Sequence, residues 1–240
     1  MLFRRVLHRN SKLRILVIGD SHTRVFEHPL FLLKMPRVAF EIAYVPGATA
    51  YGLLRANSKT QARQKFDTVL ATMKADHVLI CLGEVDTAFI LWKKAEQTGE
   101  DVSALLNLSV ARYRNYLNLI HEQKPLTVLS APLPTVPDQS LLADDDLDYR
   151  RAIDVSWTAR TNLTLEFNRR IQEFCERKGI DYISTDEVAL GGEHVVKKEW
   201  RNKKRLDHHY ARYPYAQHLI SELSKRKLGK AADCHPDSGC

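Results

Sequence analysis

Short apolar runs alternate along this chain with longer stretches of helical spacing. Runs rich in Val, Ile, Leu or Tyr lie at Leu13–Ile18, Val38–Val45, His77–Leu82, Leu126–Ser130 and Ile180–Ser184, each of a length suited to a buried strand. After Asp101-Val102-Ser103, the residues Leu106, Val110, Tyr113, Leu117 and Ile120 recur at alternating four- and three-residue intervals, which predicts a helix running to about Gln123. A second predicted helix covers Thr158 to Lys178, with Leu163, Leu165, Phe167, Ile171 and Phe174 available to a core and Gly179 as its C-cap. A third spans Pro214 to Lys227, with Pro214 in its first turn and Leu219, Ile220 and Leu223 facing inward. Strands that alternate with helices pair in parallel through right-handed crossovers, so the predicted fold is α/β: a three-layer α/β/α sandwich on a parallel sheet of about five strands.

The pattern loosens in two places. Pro132–Trp157 carries Pro132, Pro134 and Pro137 and then the acidic run Asp144-Asp145-Asp146, which reads as a lid over a site or as a passive loop. Residues 228–240 read as a flexible tail, leaving 1–227 as a single predicted domain.

Composition narrows the partners. An apolar fraction of 44% with 27% charged residues excludes disordered and fibrous classes. No apolar run approaches the roughly 18 residues of a membrane span, and the start Met-Leu-Phe-Arg-Arg does not read as a secretory signal, so a cytoplasmic location is expected. The net charge of +7 concentrates in Arg4, Arg5, Arg9, Lys12 and Arg14 and in the run Lys197–Arg205. Neither cluster sits in a nucleic-acid motif, so both read as solvated surface and no nucleic-acid partner is expected. Cys81 and Cys175 fall on apolar faces, and Cys234 and Cys240 in a polar tail without the paired short spacings of a zinc module.

Four pieces carry candidate chemistry: Gly19-Asp20-Ser21-His22, Pro46-Gly47-Ala48-Thr49-Ala50, Gly83-Glu84-Val85-Asp86 and Asp207-His208-His209. The first three each follow an apolar run, and in a parallel sheet they share the carboxyl edge, where such folds bind ligands. A serine attacks an acyl carbon only when a base takes its proton, and the base works best when a carboxylate fixes its tautomer. Ser21 supplies the nucleophile, a histidine of the 208–209 pair the base, and Asp207 the orienting acid. The amides of Ser21 and Gly47 are candidates to hold the oxyanion, a glycine letting its amide approach the substrate closely.

These blocks resemble the SGNH/GDSL hydrolase superfamily. Gly19-Asp20-Ser21 matches its first block, Gly47 its second-block glycine, and Asp207 with His209 its last block. The resemblance covers about Leu13 to Leu223 and implies a flavodoxin-like α/β/α fold and ester hydrolysis, often deacetylation of glycans or lipids, with no metal and no other cofactor. Two positions depart from the pattern. The third block commonly reads Gly-x-Asn-Asp, its Asn completing the oxyanion hole, and Val85 stands in that place. It is closer to a bacterial branch reading Gly-Glu-Ile-Asp-Cys-Arg, whose members often accompany glycan biosynthesis, although Thr87-Ala88 replaces Cys-Arg. The last block is commonly Asp-x-x-His, whereas Asp207 precedes His209 by two residues and His208 by one. Either histidine can serve as base, His209 being preferred. Glu84, Asp86, Asp20 and His22 are candidates to bind substrate, or to brace the loops that carry it.

The resulting expectation is a serine-dependent esterase, such as an acetylesterase, acting on a small-molecule or glycan ester, most plausibly an O-acylated carbohydrate. Two readings compete. A glycan-binding protein of this fold that has lost catalysis would explain Val85. A metallophosphoesterase would use Asp20 and His22 as metal ligands, but the rest of that signature is missing. Trp92, Trp157 and Trp200 read as packing residues, with Trp200, Tyr210, Tyr213 and Tyr215 as further candidates to platform a sugar ring.

Overall fold

The computed structural model describes residues 13–55, 57–138, 154–204, 207–226 and 228, with the backbone of Leu2–Val6. In chain order the elements are β1 (Leu2–Val6), β2 (Leu13–Gly19), α1 (Pro29–Lys34), β3 (Val38–Tyr44), α2 (Ala62–Thr72), β4 (His77–Cys81), α3 (Leu91–Thr98), α4 (Val102–His121), β5 (Leu126–Leu129), α5 (Trp157–Lys178), β6 (Asp181–Ile183), α6 (Asp186–Ala189) and α7 (Arg212–Lys225). The sheet order is β1-β3-β2-β4-β5-β6, with β2 to β6 parallel and β1 antiparallel on the edge beside β3. All five strand-like runs are strands. The edge strand β1 is additional, paired through Leu2↔Tyr44 to Val6↔Phe40.

The period of two along each strand divides the core into two layers. Leu16 and Ile18 of β2 and Val78 and Ile80 of β4 face one side, covered by Phe66 of α2, Leu106, Tyr113 and Leu117 of α4 and Phe167 of α5. Ile15, Val17, Leu79 and Cys81 face the other, covered by Phe31 of α1 and Tyr215, Leu219 and Leu223 of α7. This is the expected α/β/α sandwich.

The long helices start where their caps predict. Asp101 accepts hydrogen bonds from the amides of Ser103 (2.6 Å) and Ala104 (3.2 Å), and Ser156 Oγ accepts from Ala159 N at 3.1 Å. The short helices α1, α2 and α3 were not legible from periodicity, since each presents few apolar residues to the core. Cys81 and Cys175 are buried free thiols, as small hydrophobes are.

The segment Pro132–Trp157 is described only at its two ends. Residues 132–136 are buried and pinned: Leu133 N donates to Tyr210 Oη at 2.6 Å, Trp157 Nε1 to Pro134 O at 2.5 Å and Arg160 Nη2 to Val136 O at 2.8 Å. These first residues form an inner wall; residues 139–153, on which the lid or passive-loop reading rests, lie outside the described residues. The predicted tail beyond Leu228, with Cys234 and Cys240, also lies outside them, as do Arg9 and Lys12. Among the described residues no helix is long and apolar enough to cross a membrane.

Candidate active site

Strand β2 ends in a forced turn. Gly19 has φ +154°, and a Cβ there would lie 2.2 Å from the carbonyl oxygen of Cys81 on β4, so only glycine lets the two strands close at this point. Asp20 then caps a 3₁₀ turn over Ser21–Glu27, its Oδ1 accepting from His22 N at 2.9 Å. The turn lifts Ser21 to the sheet's carboxyl edge. The opposite partners come from the far end of the chain, where Arg201 bridges to Tyr210 and Ala211 N donates to Trp200 O at 2.8 Å, closing the loop that leads into α7.

These segments meet. Ser21 Oγ lies 2.9 Å from His209 Nε2, and His209 Nδ1 lies 2.6 Å from Asp207 Oδ1. The carboxylate therefore accepts a hydrogen bond from Nδ1–H and leaves Nε2 as the acceptor facing the serine hydroxyl, the tautomer a general base needs. Burial pushes the Asp207 carboxyl up, but the hydrogen bonds from the His209 ring and amide outweigh it and hold the group below the usual carboxylate range. Asn202 Nδ2 donates to the second oxygen, Oδ2, at 2.9 Å, and Thr135 Oγ1 donates to the Asp207 carbonyl at 3.1 Å. Of the two histidines, His209 bonds both Ser21 and Asp207; His208 stacks on it with ring centroids 4.1 Å apart.

The loop after β3 borders the serine turn: register pairs Gly19 with Tyr44, and Val45 N donates to Gly19 O at 2.9 Å. Among the described residues no acceptor takes the amide of Ser21 or of Gly47. Gly47 has φ +70° with open space where a Cβ would point, so the backbone conformation, rather than clearance, calls for glycine. Val85 is half-buried just before the π-helical turn Asp86–Ile90, and its hydrocarbon side chain has no donor to offer.

Of the four other polar candidates, Asp20, Glu84 and Asp86 are sealed beneath the site, which accords with the bracing alternative, whereas His22 also lines the Ser21 cleft. Asp86 is fully buried and accepts from Ala50 N (2.8 Å), Tyr51 N (2.8 Å) and Ser109 Oγ (2.9 Å), so it ties the Gly47 loop to α4. Burial lifts its carboxyl to about 6 against those donors. Asp20 is likewise buried and pushed well up, by desolvation and then by the neighbouring Glu84. Glu84 pairs with His22 at 3.1 Å, both side chains being at most 1% exposed. The His22 ring in turn lies 4.7 Å from that of His209, forming a floor under the base.

His22, His208 and His209 each present a nitrogen within 4.8 Å of the others, the one group of three or more potential metal ligands among the described residues. Asp20 is not part of it, so the Asp20–His22 pair of a dinuclear phosphoesterase centre is not assembled. His209 already bonds Ser21 and Asp207, and His22 pairs with Glu84, so a metal here would compete with those contacts.

Sequence reasoning missed Asn202, Thr135 and Ser109. Asn202 lies within the basic run read as solvated surface, and that run is partly structural: Trp200 is buried against Tyr210 and Tyr215, with ring centroids 5.2 and 6.3 Å away. Trp200, Tyr210 and Tyr215 therefore cannot platform a sugar; Tyr213 alone of the four is exposed. Trp157 packs as expected.

No protein-family model and no curated protein matches this sequence. Solved structures do. A GDSL-like lipase from Bacteroides thetaiotaomicron superposes over 90% of this chain and 88% of its own, with a TM-score of 0.56 at 15% identity. An acetyl xylan esterase superposes over 89% of this chain and 99% of its own, with a TM-score of 0.53 at 12% identity. The chain thus has the SGNH/GDSL hydrolase fold.

Proposed function

We propose that this protein is a serine-dependent carboxylic ester hydrolase acting on an O-acylated carbohydrate. The observation that carries the reading is the unbroken relay from Ser21 Oγ to His209 Nε2 (2.9 Å) and from His209 Nδ1 to Asp207 Oδ1 (2.6 Å). Ser21 Oγ attacks the acyl carbon while His209 takes its proton, and the carbonyl electron pair moves to oxygen, facing the amides of Ser21 and Gly47. Collapse breaks the bond to the alcohol oxygen, which leaves with the proton from His209. Water, deprotonated by the same histidine, then attacks the acyl-serine and releases the carboxylic acid and free Ser21. Chelators are without effect on this scheme. The carbohydrate assignment draws on the resemblance to glycan-associated members of the superfamily and on the likeness to an acetyl xylan esterase.

Steady-state assays of wild type and Ser21→Ala on an aryl acetate and on acetylated sugars test the reading. Ser21→Ala is expected to lose at least about 10³-fold in kcat; equal rates would overturn it. Val85 favours a second reading, a glycan binder without turnover. That reading prevails if wild type cleaves no ester yet binds acetylated glycans.

A further inference from the structure

The cleft at Ser21 is small, about 330 Å³. A larger cavity of about 620 Å³ lies beside it, between the loop after β3 and α3. Gly47 belongs to its wall, and so does Phe89, whose ring meets His208 edge-on with centroids 6.2 Å apart. His208 stacks on His209, so the cavity adjoins both the oxyanion loop and the base. This volume suits a small ligand.

Its charge is one-sided. Arg55, Lys59, Lys93 and Lys94 line it, and among the described residues no aspartate or glutamate does. The remaining wall is hydroxyl- and amide-bearing, with Thr49, Asn57, Ser58, Thr60 and Gln97. Tyr51 gathers the cations: the Arg55 guanidinium lies 5.4 Å and the Lys94 ammonium 5.3 Å from its ring centre. Tyr51 is itself fixed, its amide donating to Asp86 at 2.8 Å and its carbonyl accepting from Arg112 Nη1 at 2.7 Å. A cleft lined by charges of one sign concentrates ligands of the other. The Ser21 cleft differs in mixing charges, with Asp207 beside Arg24 and Arg212.

Building on the esterase reading, we propose that the alcohol portion of the substrate carries an anionic group, a carboxylate or a phosphate, bound by Arg55, Lys59 and Lys94 while the acyl carbon meets Ser21. A sugar acid and a sugar phosphate share this chemistry. Phosphate favours no single bidentate partner among lysines, whereas Arg55 can grip either anion in a fork.

The test compares kcat/KM for the acetyl esters of methyl glucoside, methyl glucuronide and glucose 6-phosphate, in wild type and in Lys59→Gln/Lys94→Gln. One or both anionic esters should exceed the neutral one by about tenfold or more at low salt. That ratio should shrink towards one in the double variant and in wild type at high salt. The better anionic arm identifies the source of the charge. Equal rates on all three esters, or a ratio that neither salt nor the double variant changes, would overturn the inference and leave the esterase intact. Calorimetry on Ser21→Ala with the same three esters decides the point independently of turnover. Tighter binding of an anionic ester upholds the cationic subsite even if wild type cleaves nothing, in which case only the esterase reading falls. Indifferent binding overturns the subsite.

Discussion

Asp86 and Asp207 stand near the same edge of the sheet, and their surroundings drive them in opposite directions. Asp86 is sealed under the Gly47 loop with three donors from the protein, and burial lifts its carboxyl to about 6. Asp207 is half-exposed, and the ring and amide of His209 hold its carboxyl below the usual range despite partial burial. One acid organises backbone; the other organises a base. The difference lies in the donors: main-chain amides and a hydroxyl fix a loop, whereas an imidazole can pass a proton on.

Substitution of each aspartate should separate these roles. Asp207→Asn is expected to lower kcat by on the order of 10⁴, because the imidazole loses the acceptor that sets its tautomer, while the melting temperature stays within a few degrees of wild type. A comparable loss of stability would erase the distinction. Asp86→Ala should do the reverse in origin: it strands two amides and a hydroxyl and costs about 3 kcal/mol, or on the order of 10 °C in a calorimetric melt, with activity following the fold.

Acidity supplies a subtler contrast. The Asp86 carboxyl is raised in the folded state, so its contribution is complete below the ordinary aspartate range near pH 4 and is lost as pH rises through about 6. Wild type should therefore lose about 2 kcal/mol relative to Asp86→Asn between roughly pH 4.5 and 7, read from urea melts. Asp207 has the opposite sign: its carboxylate stays ionised through mild acid, and its contribution disappears only as pH falls through its lowered value. Parallel pH profiles for Asp86→Asn and wild type would remove Asp86 from the comparison. The smallest expected change is a gain: Val85→Asn, which adds a side-chain donor beside the amides of Ser21 and Gly47, should raise kcat by about tenfold on an aryl acetate.

Much of this architecture is legible in the chain. Runs such as Ile15–Ile18 can only be buried strands, and glycine after an apolar strand marks the edge where Ser21 stands. Asp207 and His209 could be matched to that edge through the resemblance, and the missing Asn at Val85 is plain. The bracing of Asp86 was one of two open roles, because its partners, the amides of Ala50 and Tyr51, lie 36 and 35 residues away and main-chain donors leave no mark on residue type. Asn202 was hidden among lysines and arginines, where charge dominates a sequence reading although a neighbouring Trp anchors the segment. The buried path of residues 132–136 escaped notice because prolines signal irregular backbone and say nothing about depth.

The bond between Ser21 and His209 spans 188 residues. A ribosome therefore completes the strand that carries Ser21, and every strand of the sheet, before Asp207 and His209 are made. On the proposed function, hydrolysis needs the loop carrying Asp207 and His209 packed against the turn after β2, so activity would report that long-range closure as well as the formation of the sheet.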